Sequence, residues 1–337
     1  MPTVHAEPSG HQFEVQPGES ILSAALRQGV ALPYGCRNGQ CGSCNATLLS
    51  GSVDYPEGLP PALEGAPADA CTCCRAVPRT DLRLRVREVE RVADIEVRLL
   101  PCRVQRIEPL AHDVVRLWLK LPEGDRLQFL AGQYLEFVLP DGRQRAFSIA
   151  NAPHDDALLE LHVRHVPGGG FTGFVFDQLK EKAILRIRAP LGTFVLREAS
   201  ARPILFVAGG TGLAPVKGMI EHALHVGLSR PMTLYWGVRS RRDLYLPELP
   251  RAWERARPDF RYVPVLSEPD PDWTGRTGFV HAAVVADHPA LDPFEVYMAG
   301  PPPMVAAARE AFTRGGLALE HLHSDAFEFA KDPARSG

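Results

Sequence analysis

The sequence predicts a multidomain α+β protein in which a cysteine-bearing domain, an antiparallel β-barrel and a parallel-sheet domain follow one another. Six of the seven cysteines fall within the first 74 residues. Short alternating strands separated by Gly, Pro and Asp fill residues 98–198, and strand and helix patterns alternate from residue 199 onward. Because 337 residues correspond to two domains of about 150 residues or to three smaller ones, we predict domains over 1–92, 98–198 and 199–337.

Composition argues against several classes of function. The formal net charge is −3, so the chain lacks the basic character of a nucleic-acid-binding protein. The start "MPTVHAEPSGHQFEV" has no basic residues followed by an apolar run, and no apolar stretch approaches the about 18 residues of a membrane span. We therefore expect a cytoplasmic protein without a nucleic-acid or membrane partner. Because a reducing cytosol disfavours disulfides, the clustered thiols indicate a metal site.

The first domain begins with a predicted hairpin, "TVHAEPSGHQFEV". A short helix follows over "ESILSAALRQG", where Ser20 can cap the start and Gly29 fits the stop. The domain ends in "DLRLRVREVE", whose alternation predicts a strand.

The middle region predicts a barrel or sandwich of short strands. The predicted strands are "CRVQRIEPL", "DVVRLWLKL", "QYLEFVL", "RAFSIAN", "LLELHVRHV" and "ILRIRAPL". One helix, "TGFVFDQLKEK", starts just after "PGGGF".

The last region alternates buried strands with helices, which predicts a parallel sheet with crossover helices. The predicted strands are "PILFVAGG", "MTLYWGV", "FRYVPVLSE" and "FEVYMAG". The predicted helices are "APVKGMIEHALHVG", "LPELPRAWERAR", "GFVHAAVVADH" and "PMVAAAREAFTRGG".

Three cysteines, Cys36, Cys41 and Cys44, have the C-x4-C-x2-C spacing of a plant-type 2Fe-2S site, which one distant cysteine completes. The glycines among them allow backbone N–H groups to approach the sulfurs closely. The candidates for the fourth ligand are Cys71, Cys73 and Cys74. Zinc is the alternative metal, although a zinc ribbon would use a second C-x2-C knuckle that this chain lacks.

The segment "RQRAFSIAN" and the glycine run about twenty residues later predict a site for a pyrophosphate and a flat ring. Free N–H groups at a helix start attract a pyrophosphate, and an arginine adds charge-assisted hydrogen bonds. The alternative is a plain amphipathic strand followed by a helix. The candidate residues are Arg145, Phe147, Ser148, Gly168, Gly169 and Thr172.

A second glycine loop, in "FVAGGTGLAPV", joins a buried strand to a helix. It departs from G-x-G-x-x-G, yet a glycine loop that leads into a helix start is a general phosphate site. A tight strand-to-helix turn is the alternative. The candidate phosphate-binding residues are Gly209, Gly210, Thr211 and Gly212.

The segments "PYGCRNGQCGSC" and "CRAVPRTD" together resemble the plant-type ferredoxin module of ferredoxin-linked reductases, which implies a β-grasp domain. In that family the last ligand lies in C-x-A-x-P-x-x-D. Only Cys74 places Ala76, Pro78 and Asp81 in phase, so the resemblance implies that Cys74 completes the cluster site. Cys71 and Cys73 would then be small buried residues.

The segment "RQRAFSIAN", the glycine run that follows it and the loop in "FVAGGTGLAPV" together resemble the ferredoxin–NADP reductase family. The segment "YMAGPPPMV" matches the GPPxM segment of that family at Gly300 and Pro301. The resemblance implies an FAD-binding barrel. Arg145 would hold the pyrophosphate, Phe147 would pack on the isoalloxazine, Ser148 would hydrogen-bond near its reactive nitrogen, and Thr172 would cap the helix. The segment "HSDAFEFA" is also similar to the family, so Phe327 would approach the flavin face where nicotinamide docks; a closing edge strand with a buried Phe is the alternative.

The order of the three modules resembles oxygenase reductase components and the CDP-6-deoxyglucoseen reductase type. This resemblance implies transfer of electrons from NADH through FAD and a 2Fe-2S cluster to a protein acceptor, either an oxygenase or a deoxysugar dehydrase. NADPH is possible, because Arg239, Arg241 and Arg242 follow "MTLYWGV" and would favour a 2′-phosphate. The alternative functions are a free-standing flavin or ferric reductase and a zinc-stabilised binding module.

Overall fold

A computed structural model describes residues 1–32, 39, 44–86, 88 and 92–327 of the chain. The first domain comprises β1 (Thr3–Glu7), β2 (Gln12–Glu14), α1 (Ile21–Arg27), β3 (Asn45–Ser50), β4 (Val53–Asp54), β5 (Ala70–Thr72), β6 (Val77–Pro78) and β7 (Leu82–Arg85). Its main sheet has the order β2-β1-β7-β3-β5, and β4 pairs with β6. The predicted hairpin is β1–β2, and Ser20 caps α1 by accepting a hydrogen bond from the N–H of Ser23.

The middle domain is an antiparallel barrel. It comprises β8 (Arg98–Ala111), β9 (Val114–Lys120), β10 (Tyr134–Val138), β11 (Gln144–Ser148), β12 (Leu159–Arg164), α2 (Gly170–Asp177) and β13 (Ile184–Leu191). The strand order is β11-β10-β13-β8-β9-β12. A bridge between Ile149 and Leu161 brings the two edges together, so a barrel rather than an open sandwich is formed.

The last domain is a parallel sheet with helices on both faces. It comprises β14 (Ile204–Gly209), α3 (Leu213–His225), β15 (Met232–Val238), α4 (Glu248–Ala256), β16 (Phe260–Leu266), β17 (Arg276–Thr277), α5 (Val280–Asp287), β18 (Glu295–Gly300), α6 (Pro302–Arg314) and β19 (Leu322–Ala326). The order is β17-β16-β15-β14-β18-β19, and every pair is parallel. Separate apolar clusters cover the two faces of the sheet, as the buried-strand pattern requires.

The predicted fold class is therefore confirmed: a small mixed-sheet domain, an antiparallel barrel and a parallel α/β domain follow in that order. The described residues also form short 3-10 turns at Pro61–Leu63, Val92–Asp94, Gly210–Gly212, Arg241–Asp243 and Leu319–His321. Within the described ranges, none of the helices combines the length and the apolar character needed to cross a membrane.

The first domain contacts both of the others. The side-chain amide of Gln128, in the barrel, donates to the carbonyl of Leu32 at 3.2 Å. Close by, His154 of the barrel stacks face to face on His225 at the end of α3, with ring centroids 3.6 Å apart. A small pocket at this junction is lined by residues of all three domains, so the three domains meet here.

A cavity between the barrel and the parallel sheet

A cavity of about 520 Å³ lies where β11 and the start of α2 face the ends of β14 and β19. It brings together segments of the sequence that are separated by up to about 180 residues. The residues singled out from the sequence that line it are Arg145, Phe147, Ser148, Gly169, Thr172, Gly209, Thr211, Pro301 and Phe327. The other candidates, Gly168, Gly210, Gly212 and Gly300, are their direct neighbours in the chain.

One wall of the cavity is built from β11. Phe147 is half-buried, and its ring packs edge-on against Phe137 at 5.7 Å and tilted against Phe171 at 5.6 Å. Ser148 is buried and pairs across the sheet with Tyr134, which also lines the cavity. This wall is therefore apolar and aromatic with one hydroxyl, a surface suited to a flat conjugated ring.

The start of α2 forms a second wall. The residue at the N-cap is Gly169, and Thr172 lies inside the first turn, so the expectation that Thr172 caps the helix is wrong. The glycine run allows the chain to adopt helical geometry before Thr172, whose Oγ1 instead accepts a hydrogen bond from the N–H of Val166 at 3.1 Å. The first N–H groups of a helix have no partners within the helix, so this end supplies donors for an anion.

The loop after β14 is held tightly against the end of β18. A Cβ at Gly212 would lie 2.0 Å from the carbonyl oxygen of Ala299, and one at Gly300 would lie 3.0 Å from the Cα of Gly209. Both glycines are thus required by contact between neighbouring strand ends. The tight strand-to-helix turn, which was the alternative to a phosphate site in the sequence analysis, is present. The same turn places Gly209 and Thr211 on the cavity.

Arg164, which the sequence analysis missed, reaches the cavity from the end of β12. Its Nε lies 3.1 Å from a carboxylate oxygen of Asp113, and its Nη1 lies 2.6 Å from the position of a Cβ built on Gly210. Its Nη2 is buried and has no hydrogen-bond partner among the described residues. An orphaned cationic donor beside a glycine loop fits an anionic ligand. The only feature of the sequence that pointed to Arg164 was its position just before the glycine run.

Asp325 adds a carboxyl group to the opposite side of the cavity. Burial raises its pKa to about 6. Burial, helped by the charges of Glu136 and Asp325, also raises the pKa of Tyr134. Phe327 follows at the end of β19, where its N–H donates to the carbonyl of Gly300 at 2.9 Å. The cavity therefore contains a carboxyl group that changes charge near neutral pH.

Two of the four predicted cluster ligands, Cys36 and Cys41, lie outside the described residues. The described cysteines of the first domain are all buried: Cys44, Cys71, Cys73 and Cys74. The backbone N–H of Cys74 lies 3.4 Å from the Sγ of Cys44 as a hydrogen-bond donor, although the two residues are thirty positions apart. Hydrogen bonds from backbone N–H groups to cysteine sulfurs are common at iron–sulfur sites, so this contact is compatible with a cluster.

Three family models match the chain in succession. They are a 2Fe-2S iron-sulfur cluster binding domain over residues 4–79, an oxidoreductase FAD-binding domain over 101–196 and an oxidoreductase NAD-binding domain over 206–310. Each match falls within one of the domains predicted from the sequence, while the exact boundaries stay a prediction.

Curated relatives match over almost their whole length. The CDP-6-deoxy-L-threo-D-glycero-4-hexulose-3-dehydrase reductase of Yersinia pestis is 40% identical over 96% of this chain and 98% of its own. Reductase component 2 of terephthalate 1,2-dioxygenase from Comamonas sp is 36% identical over 96% of both chains. Among solved structures, the Amycolatopsis cytochrome P450 reductase GcoB is 35% identical, with a TM-score of 0.66 over 97% of this chain and 99% of that chain.

Proposed function

The chain belongs to the iron–sulfur flavoprotein reductases that serve oxygenases and CDP-hexulose dehydrases, and we propose that it takes electrons from NADH and delivers them to one such partner enzyme. Electron transfer runs from NAD(P)H through FAD to a 2Fe-2S cluster. The observation that carries this conclusion is the succession of three cofactor-domain matches in one order, together with a reductase relative that is 40% identical over 96% of the chain. A bound flavin converts two-electron hydride chemistry into single-electron delivery.

The flavin-facing residues are those of β11 and α2. Arg145 and the first turn of α2 bind and neutralise the FAD pyrophosphate, since a guanidinium and a helix start favour the same anion. Phe147 packs against the isoalloxazine, and the buried hydroxyl of Ser148 holds a hydrogen bond near its reactive nitrogen. The fit is supported by the aromatic lining of this wall, and Ser148 and Phe327 are the residues we assign to the reacting face.

The nicotinamide dinucleotide occupies the side of the cavity formed by the parallel sheet. Gly209, Thr211 and Pro301 shape its phosphate end, and Arg164 contributes a guanidinium donor, since its Nη2 has no hydrogen-bond partner among the described residues. Phe327 covers the position where nicotinamide meets the flavin and excludes water from it.

The cluster is held by Cys36, Cys41, Cys44 and Cys74. The choice of Cys74 over Cys71 and Cys73 is supported by its phase with Ala76, Pro78 and Asp81, together with the hydrogen bond from its N–H to the sulfur of Cys44.

NADH rather than NADPH is favoured by the charges that surround Arg241. Its Nη2 lies 3.1 Å from Asp272, its Nε lies 3.9 Å from Asp270, and its guanidinium stands over the ring of Trp273 at 5.6 Å. This arginine follows β15, at the carboxyl edge of the sheet where the adenosine ribose is expected. The two aspartates neutralise Arg241 and would repel a 2′-phosphate.

One experiment tests the proposed function. Purified protein is analysed for iron, sulfide and FAD, then titrated anaerobically with NADH and with NADPH. We expect flavin and cluster absorbance to bleach together with NADH, and electrons to reach cytochrome c as a one-electron acceptor. The Cys44→Ser variant should retain NADH-dependent flavin bleaching and lose cytochrome c reduction. As the control, Cys102→Ala alters a buried thiol of the barrel and should retain both. Flavin without iron, or full cytochrome c reduction by Cys44→Ser, would overturn the proposal.

A further inference from the structure

The barrel strand β12 carries two different faces. Leu159, Leu161 and Val163 point into the barrel core. The alternate residues Glu160 and His162 are also buried, at 1% and 5% exposure, although both are ionisable. Both contact the parallel-sheet domain and not the barrel core, and Glu160 also lies 3.4 Å from the Nη1 of Arg116 on β9.

Glu160 is paired with a buried lysine of that domain. Lys217, on α3, is only 5% exposed. Its Nζ donates to Glu160 at 2.7 Å, to Glu221 at 2.8 Å and to the carbonyl of Ala150 at 3.3 Å. All three ammonium hydrogens therefore have acceptors, and two of the acceptors belong to the barrel.

His162 extends the same network to a second segment of the parallel-sheet domain. One ring nitrogen lies 2.9 Å from Glu160 and the other 3.0 Å from the hydroxyl of Tyr245. A hydrogen-bonded chain thus runs from Lys217 through Glu160 and His162 to Tyr245. Burial opposes ionisation of Glu160, but the hydrogen bond from His162 and the charge of Lys217 prevail and lower its pKa to about 2. Glu160 is therefore ionised throughout the neutral range.

The network is close in the chain to both glycine segments that border the cavity, the run before α2 and the loop before α3. Strand β12 leads into the glycine run that precedes α2, and α3 begins directly after the loop Gly209–Gly212. Next to Lys217, Gly218 packs on the barrel so closely that a Cβ would lie 3.0 Å from the carbonyl oxygen of Asn151. A shift of α3 along β12 would thus displace the two walls of the cavity relative to each other.

We propose that Lys217 and Glu160 are positioning residues for hydride transfer: their buried ion pair fixes the nicotinamide wall of the cavity at its working distance from the flavin wall. This inference rests on the proposed function. A buried ion pair adds little net stability compared with apolar residues of similar size, whereas its directional bonds admit only one arrangement. The effect of the pair is therefore expected in geometry more than in folding.

The test compares Lys217→Met, Glu160→Gln and the double variant with wild type and with Lys120→Met, which changes an exposed lysine at the end of β9. The readouts are the anaerobic stopped-flow rate of flavin reduction, the thermal midpoint and calorimetric binding of NAD⁺. Flavin reduction in each single variant should be about 10- to 100-fold slower, because a displacement of the reacting groups by about 1 Å lowers the rate by up to about 100-fold. Lys120→Met should match wild type.

The double variant separates positioning from stability. Removing both charges should restore part of the thermal midpoint lost in Lys217→Met, since Glu221 still lacks its lysine partner, while flavin reduction stays slow and NAD⁺ binding stays near wild type. Recovery of the rate together with the midpoint, wild-type rates in the single variants, or loss of NAD⁺ binding overturns the inference. If wild-type flavin is reduced by neither nucleotide, the proposed function itself fails, a result distinct from any pattern among the variants.

Discussion

The guanidinium of Arg164 lies so close to Gly210 that a Cβ added to residue 210 would be 2.6 Å from its Nη1. The two residues come from different domains, the barrel and the parallel sheet. Gly210 has φ of +54°, a conformation that L-residues rarely adopt. The guanidinium of the barrel arginine thus occupies the space that a side chain at residue 210 would need.

Gly210→Ala should therefore push Arg164 away from the loop and raise the KM for NADH by about tenfold, with a stability loss of about 1 kcal/mol from the strained backbone. Gly227→Ala is the matched control, since Gly227 also has a positive φ, +68°, but nothing within 4 Å of an added Cβ. It should lose similar stability and keep the wild-type KM. Equal KM values for the two variants in steady-state assays would contradict the role of Arg164.

The half-buried carboxyl of Asp325 predicts a pH dependence of stability. Burial raises its pKa from 3.8 to about 6, so the folded protein binds the proton more tightly than the unfolded chain. Stability should fall as pH rises from about 4 to about 6 and should not fall further above that range. Asp325→Asn should remove this component, as measured by thermal midpoints of both proteins from pH 4 to 8. Parallel curves for the two proteins would contradict the shift.

The fourth cluster ligand can be identified by iron content. Cys74→Ser should lose most of the iron and sulfide, whereas Cys71→Ser and Cys73→Ser should retain the cluster absorbance. The reasons are the phase of Cys74 with Ala76, Pro78 and Asp81 and the hydrogen bond from its N–H to the sulfur of Cys44. Purified variants are compared by iron and sulfide analysis, with FAD content as the internal control. Iron retained by Cys74→Ser and lost from Cys73→Ser would move the ligand to Cys73.

The stacked histidines at the three-domain junction predict loss of stability in acid. Burial, with the charges of His225 and His222, lowers the pKa of His154 to about 4, and burial lowers that of His225. Folding therefore disfavours protonation, so the junction should lose stability as pH falls from about 6.5 towards about 4. His154→Phe keeps a ring for the stack and should flatten this loss. Denaturant midpoints between pH 4.5 and 7.5 measure it, and unchanged slopes in His154→Phe would argue against the pair.

The aspartates beside Arg241 predict how nucleotide preference can be changed. Replacing Asp270 and Asp272 together with Asn leaves Arg241 available to a 2′-phosphate and removes two repelling charges. The ratio of kcat/KM for NADPH to that for NADH should rise about tenfold. Glu310→Gln, an exposed carboxylate on α6, is the charge control and should leave the ratio unchanged.

Local patterns in the sequence predicted helices and strands well where the structure depends on residues that are neighbours in the chain. The segment "ILRIRAPL" is β13 from end to end, and Ser20 caps α1 as expected, because alternation and capping depend on neighbours in the chain. The start of α2 was predicted too late, since three consecutive glycines leave the position of the first helical residue to tertiary contacts. Its end was predicted too late as well, because the helix stops at Asp177.

The polar residues of the domain junctions could not be predicted from their own surroundings. In the sequence, Glu160 and His162 look like the solvent face of a half-buried strand, and Lys217 looks like the exposed face of a helix. Their burial results from the approach of strand β12 to α3, which begins about fifty residues later. Arg164 was missed for the same reason, because its partner Asp113 belongs to the turn between β8 and β9.

The packing of both faces of β12 also limits which sequence changes this strand can accept during evolution. Substitutions along the strand can be compensated one at a time, but a single-residue insertion or deletion would exchange its faces, turning the leucines towards the neighbouring domain and two ionisable groups into the barrel interior. The spacing between Leu159 and Arg164 is therefore fixed, and we expect homologous chains to align across this strand without gaps.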